Sequence, residues 1–397
     1  MKKMTLEELN KKVEAYPPEV RLLISLSAPG GPDGQRLKKW VNDNPVNWQR
    51  FAALAASHKL ISMIFPNLSL IQDYIPEETY RYLKNQNQRF TRRSFIQTEQ
   101  TIHLQELFNK ENIPAIFFKG IVLSQRLYGH PATKNSADID LLVPVKEVEK
   151  TTELLIDRGY HLTYPSISLT EKQKRINYRI SHHYGLQNNE KGVHLELHWH
   201  LTNPHSLLPL PFERVYKNYS TVELNHHPIK TLGDEDYLIY LAVHGARHQW
   251  CRLNWLKDFT SVLEQTREET QQNAEQRMQK MGLERCYRQA RLMSHLICGI
   301  PSSPNDLKTD RLPSVFIQKP VEALRENKPP DALDKLKDMP YHIRLRRRIK
   351  FKIFLFLRLR THHTNWAIVR LPDYLFFLYY PLRPVLWVRK VLRRRIY

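Results

Sequence analysis

Asp138 and Asp140 stand two residues apart in the run Asp138-Ile139-Asp140-Leu141-Leu142-Val143, downstream of a lysine–glycine pair at Lys119-Gly120. In an extended strand, side chains two apart project from one face, so both carboxylates lie together while Ile139 and Leu141 point the other way. Hard divalent cations take oxygen ligands, and Mg²⁺ is commonly held by one or two carboxylates plus the oxygens of a bound polyphosphate. A third acid, Glu196, lies in the segment from Val193 to His200. Alternation there puts Val193, Leu195, Leu197 and Trp199 on one face and His194, Glu196, His198 and His200 on the other. If this strand pairs beside the aspartate strand, three carboxylates can hold two Mg²⁺ (or Mn²⁺) ions. Such ions lie about 3.5–4 Å apart and clamp the attacking and leaving oxygens of an in-line displacement.

The lysine–glycine pair suits the same chemistry. Gly120 lets the backbone turn sharply and approach a ligand, and Lys119 can reach a phosphate. Ile121 to Tyr128 would then begin a helix whose N-terminal amides favour an anion. Taken alone, Lys119 reads as a solvated loop lysine, and an isolated Asp-x-Asp as an acidic strand edge. The histidine-bearing face of the Glu196 strand admits zinc as a rival, but ligands on consecutive same-face positions of a flat strand fan out instead of converging on a tetrahedron. His244 and His248 share a helix face, yet no Glu follows His244 and the zinc-protease pattern is absent. Packing near Trp250 and Trp255 is the favoured reading for these two, and His182, His183 and Tyr184 are read in the same way.

The elements that must position these residues form an α+β arrangement. Residues 1–110 read as helical: Thr5 can cap a first helix with Glu8 three residues on, and Thr79 to Asn109 carries a long polar helical pattern. An α/β core over 111–230 starts near Ile113, with a helix from Lys146 to Arg158 and a short strand at Gly159 to Thr163. A helical domain over 231–300 opens on Asp234-Glu235-Asp236, acids that suit the positive end of a helix dipole. A composition shift marks 301–340 as a linker before a basic amphipathic tail, 341–397.

Several blocks in this order resemble the bacterial family of uncharacterised nucleotidyltransferases within the DNA polymerase beta-like nucleotidyltransferase superfamily. Asn47-Trp48-Gln49-Arg50-Phe51 with Leu54-Ala55 and His58-Lys59 is similar to the family's helical lead-in. Ile113 to Gly120 resembles its first strand and turn, and Leu127-Tyr128 through Val143 its metal motif. Leu195 to Trp199 resembles the strand of its third acid, and His244 to His248 with Leu253 to Asp258 its downstream helix pair. The likeness runs from about residue 45 to 290. Where the family usually has an arginine ahead of the aspartates, this chain has Lys134, followed by Asn135-Ser136-Ala137. Lysine offers a point charge in place of a planar fork.

The resemblance implies a nucleotidyltransferase-type mixed sheet flanked by N-terminal and C-terminal helical regions. It implies transfer of an NMP from an NTP, ATP first, to a hydroxyl or phosphate acceptor, with release of pyrophosphate. Asp138 and Asp140 would ligate both metals, and Glu196 would hold the catalytic metal and help deprotonate the acceptor. Lys119, Gly120, Lys134, Ser136 and His198 would border the donor, and His244, Arg247, His248 and Asp258 would face the cleft from the second domain. A catalytically silent nucleotide-binding or membrane-docked scaffold is the alternative, and a nucleic-acid-binding protein a third.

The chain has 397 residues and is 41% apolar, enough for two cored domains. Three cysteines without metal-like spacing read as reduced buried thiols of a cytosolic protein, and the N-terminus lacks a signal-peptide core. Residues 341–397 carry 15 Lys or Arg against the single acid Asp373, which is +14 of the formal +21. No apolar run there reaches the roughly 18–20 residues of a membrane span. Aromatic residues between basic ones suit an interfacial helix on an anionic membrane surface, with packing on the protein's own helical domain second and nucleic acid third. The expected location is cytoplasmic, peripheral on the inner face of the membrane, and that placement tilts the acceptor toward envelope or polysaccharide metabolism.

Overall fold

A computed structural model describes residues 5–28, 30–303, 307, 312–326, 337–349, 351–352, 363–382 and 385–386. The architecture is α+β, a five-stranded mixed sheet with helices before and after it. The strands are β1 (Ile116–Phe117), β2 (Ile139–Leu142), β3 (His161–Tyr164), β4 (His183–Asn188) and β5 (Val193–His198), in the order β1-β2-β5-β4-β3. Only the β2–β5 pair is parallel. A separate hairpin, β6 (Ser220–Leu224) and β7 (His227–Thr231), follows the sheet.

The sheet separates two cores. Ile139, Leu141, Leu195, Leu197 and Phe117 bury one face with Ile102 and Phe108 of the long helix Glu77–Lys110 and Leu155 of the helix Val148–Asp157. Strand period two sends their neighbours the other way. Ile116, Phe118 and Leu142 therefore join a larger core that runs from Leu9 through Tyr237 and Phe259 to Tyr341 and Phe351. The N-terminal and C-terminal helices thus share one apolar interior over the sheet's second face, the face that also carries the acids.

Local chemistry fixes the helix starts. Thr5 and Glu8 form a reciprocal capping box, and Asp234, Glu235 and Asp236 occupy the first turn of the helix Asp234–Arg247. Within 301–340, read above as a linker, Ser314–Glu326 is a helix that buries Phe316, Ile317, Val321 and Leu324 in the large core. Pro320 lies inside this helix, and the helix's apolar face sets its packing. In the basic tail, Tyr341, Leu345 and Phe351 enter the same core. Trp366, Phe376 and Tyr379 pack against Ile167, Ile176 and Ile180, while Tyr374, Phe377 and Tyr380 are exposed. Residues 353–362 and 387–397 of the tail lie outside the described residues. No helix among the described residues is long and apolar enough to cross a membrane.

Candidate active site

The β2–β5 register places Asp140 directly opposite Glu196 on neighbouring strands. His198 stands two residues beyond Glu196 on the same face, and its Nε2 lies 3.1 Å from Asp140 Oδ1 and 3.0 Å from Glu196 Oε2. One imidazole nitrogen therefore bridges both carboxylates. Lys119 approaches from the turn after β1, with Nζ 2.5 Å from Asp140 Oδ1. The backbone holds that turn in place, since Phe118 N donates to Asp140 O at 3.3 Å.

Gly120 opens the helix Gly120–Tyr128 in the left-handed region, at φ +56°. A Cβ there would stand 2.9 Å from Ser136 Oγ and 3.2 Å from the Asp138 carbonyl oxygen. This turn and the segment before β2 are pressed together, and only glycine fits. Asp138 lies one residue ahead of β2, in a bend and not in the ladder. Ser136 Oγ donates to its carbonyl at 2.8 Å. Its carboxylate is thus set by that bend, where the sequence pattern had put it on the strand itself.

The electrostatics follow from crowding three acids in a half-buried cleft. Burial, then the charges of Asp140 and Glu196, push the Asp138 carboxyl up to about 6, against the pull of Lys119 and Lys59. Asp140 is the most buried, yet Lys119 and the His198 bond hold it below the usual carboxylate range. Glu196 is likewise held low, burial being outweighed by His198 and Lys119. His198 is fully buried but raised, because the bonds to Asp140 and Glu196 favour its protonated form. Lys119 is raised in the same sense by Asp140, Tyr240 and Glu196, against its burial. A cluster of acids neutralised by one ammonium and one imidazole is a centre with cationic demand.

The other candidate residues are placed as follows. Lys134 does not reach into the cleft as a free charge: its ammonium is bonded to Asp258, both side chains are buried, and Tyr128 Oη donates to the same carboxylate at 3.2 Å. His244 and His248 lie on the helix Asp234–Arg247 and at its end, with ring centroids 4.8 Å apart. Both pack on Trp255, at 5.1 and 5.0 Å. Burial drives each well below the usual histidine range, so both are neutral. Tyr240, one turn before His244, packs its ring on Phe118 at 5.4 Å and its hydroxyl reaches His244 Nδ1 at 3.4 Å. Arg247 contributes positive charge felt by Tyr240 and His182. His194 is exposed at the far end of β5, and the His200 ring stacks on His205 at 4.7 Å.

Two cations from the N-terminal helical region also act on Asp138. Lys59 sits in the left-handed region at φ +57°, just past the helix Trp48–Ser57, and its charge is felt by Asp138 although burial and Arg252 lower its own pKa. Arg93, on the long helix, bonds Asn135 Oδ1 at 2.5 Å and is likewise drawn by Asp138. Lys59 belongs to a block singled out in the sequence for its family likeness alone. Arg93 lies in a long polar helix where arginine ordinarily faces water, and nothing local separates it from Arg89 or Arg92. Burial of the strand pair β4–β5 brings in His182 and His183 as well, since His183 pairs directly with His198.

The residues present fit a divalent cation. One ligand atom each from Asp140, Glu196 and His198 falls within 4.8 Å of the others, and two of the three donors are hard oxygens.

Among curated proteins none matches the chain. A solved structure, an antigenic nucleotidyltransferase-like protein from Paracoccidioides brasiliensis, is 16% identical over 46% of this chain and 87% of its own, with a TM-score of 0.30. The family of uncharacterised nucleotidyltransferases matches residues 44–299, a span that takes in the lead-in helices, the turn at Gly120, all three acids and the helices after the sheet. By that match over more than half of its length, the chain belongs to the uncharacterised nucleotidyltransferase family.

Proposed function

We propose that this protein is a divalent-metal-dependent nucleotidyltransferase of the DNA polymerase beta-like superfamily, moving an NMP from an NTP, ATP first, to a hydroxyl or phosphate acceptor. The observation that carries the proposal is the pairing of Asp140 with Glu196 across β2 and β5, bridged by His198 beside the Lys119–Gly120 turn. Asp138, Asp140 and Glu196 would hold the Mg²⁺ or Mn²⁺ ions, which when bound lower the pKa of the attacking hydroxyl and neutralise charge on the transferred phosphoryl group.

The chain's own residues do the rest. Lys119, raised and fully charged, is poised to exchange the Asp140 oxygen for an oxygen of the triphosphate. The amides at the start of the helix Gly120–Tyr128 face the same anion. His198 fixes the separation of Asp140 and Glu196 by holding an oxygen of each. Lys59 and Arg93 add positive charge on the Asp138 side. A membrane-proximal acceptor, in envelope or polysaccharide chemistry, matches the basic tail and its exposed Tyr374 and Phe377.

The test is pyrophosphate release by the purified full chain with Mg²⁺, each NTP and a cell-extract acceptor fraction, followed by mass spectrometry of the labelled product. Asp140→Asn and Glu196→Gln should each lower turnover by more than about 100-fold. Unchanged release by both would remove the assignment, and NTP binding without release would favour a silent nucleotide-binding module.

A further inference from the structure

Beside the carboxylates the sheet gathers a second set of ligands, made of imidazoles. His182 directly precedes β4, His183 is its first residue, and His198 is the last residue of β5 and the cross-strand partner of His183. Because His182 lies outside the ladder, its ring need not point away from that of its neighbour. The two ring centroids are 4.3 Å apart, and those of His183 and His198 are 5.1 Å apart. One nitrogen from each of the three rings falls within 4.8 Å of the others.

The rings are held from outside. Trp199 N donates to the His182 carbonyl at 2.9 Å, and the Tyr164 ring stacks on His183 at 5.0 Å. His183 Nδ1 lies 3.1–3.2 Å from the nitrogens of His182, and its Nε2 lies 3.8 Å from Glu196 Oε1. Tetrahedral Zn–N bonds of about 2.0–2.1 Å put neighbouring ligand nitrogens about 3.3–3.4 Å apart, so small ring rotations complete such a set. His198 spends its Nε2 on the two carboxylates, and its Nδ1 is buried without a hydrogen-bond partner. Burial keeps His182 and His183 below the usual histidine range, hence neutral and able to donate a lone pair; at His198 an ion on Nδ1 displaces that nitrogen's proton and leaves Nε2–H on the two carboxylates.

We infer that His182, His183 and His198 form a three-histidine site for a zinc-class transition-metal ion, with water as its fourth ligand, distinct in chemistry from the carboxylate centre. Imidazole suits Zn²⁺, Co²⁺ and Ni²⁺, whereas Mg²⁺ prefers oxygen and water. The inference stands apart from the nucleotidyl-transfer reading, although His198 couples the two centres.

Untagged full-length protein, stripped with chelator, is titrated with Co²⁺ at pH 7.5 and followed by visible absorption, with Zn²⁺ competition. We expect one equivalent of Co²⁺ to give an intense four-coordinate spectrum that Zn²⁺ removes. His182→Ala and His183→Ala should weaken binding at least tenfold and abolish the spectrum, while Asp138→Asn keeps it. Circular dichroism melts of His183→Asn and His183→Ala establish that the fold survives; should the alanine variant unfold, the asparagine variant carries the same reading. A spectrum unchanged by the histidine variants, or binding that only Asp138→Asn removes, overturns the site. Pyrophosphate release with Mg²⁺ alone, measured in parallel, separates this failure from failure of nucleotidyl transfer.

Discussion

At the residue scale, Asp138 is the carboxyl of the acidic cluster that stands raised. It is surrounded by Asp140 and Glu196 on the acidic side and by Lys119, Lys59 and Arg93 on the basic side, and its carboxyl is pushed up to about 6. An acid with a raised pKa takes up its proton earlier as pH falls, and a divalent ion needs the carboxylate. Mn²⁺ affinity should therefore be full above about pH 7, where no proton is displaced, and fall as pH drops through 6, where the protons displaced per ion bound rise towards about one. Titration calorimetry of the wild type between pH 5 and 8 measures this. Asp138→Asn should bind Mn²⁺ more weakly and lose that step; a step persisting in the variant would place the titrating group elsewhere.

At the element scale, the site depends on two tight constraints. One is the parallel register of β2 with β5, which puts Asp140 level with Glu196. The other is the turn at Gly120, where a positive φ and the nearness of Ser136 Oγ and the Asp138 carbonyl leave no room for a side chain. Gly120→Ala should cost about 1–2 kcal/mol for the left-handed backbone. It should also displace the Lys119 turn from Asp140. The expected outcome is a modest fall in melting temperature with a disproportionate loss of pyrophosphate release, and equal retention of both would show that the turn does not position the lysine. Gly245 makes a comparable demand inside the helix Asp234–Arg247, since a Cβ there would stand 2.2 Å from the Trp250 ring.

At the scale of the whole molecule, helices from both ends of the chain close over the acidic face. His58 Nδ1 accepts from Leu253 N at 3.2 Å, and Tyr341 Oη donates to the Ala246 carbonyl at 2.6 Å. The buried Lys134–Asp258 pair joins the sheet unit to the helices after it. Lys134→Met would leave the Asp258 carboxylate buried without its cation, a loss of about 3–5 kcal/mol. Chemical denaturation of the full chain checks it, and adding Asp258→Asn, which removes the charge and keeps a partner for Tyr128, should recover most of the loss. A Lys134→Met protein as stable as the wild type would mean that the pair contributes nothing to joining these units.

The sequence by itself determined what is local. Strand period two separated Leu195 and Leu197 from Glu196 and His198, the capping box at Thr5 and Glu8 and the acids at Asp234 announced helix starts, and the ordered blocks pointed to the family across nearly the span that it matches. Strand pairing partners, by contrast, are not written in any one segment. Only the tertiary structure decided that β4 inserts next to β5 and brings His182 and His183 to His198, that Lys134 is spent on Asp258, and that the charges of Lys59 and Arg93 act on Asp138. Those outcomes depend on which buried surfaces meet and which charges must be neutralised once water is excluded, and both are properties of residues far apart in the chain.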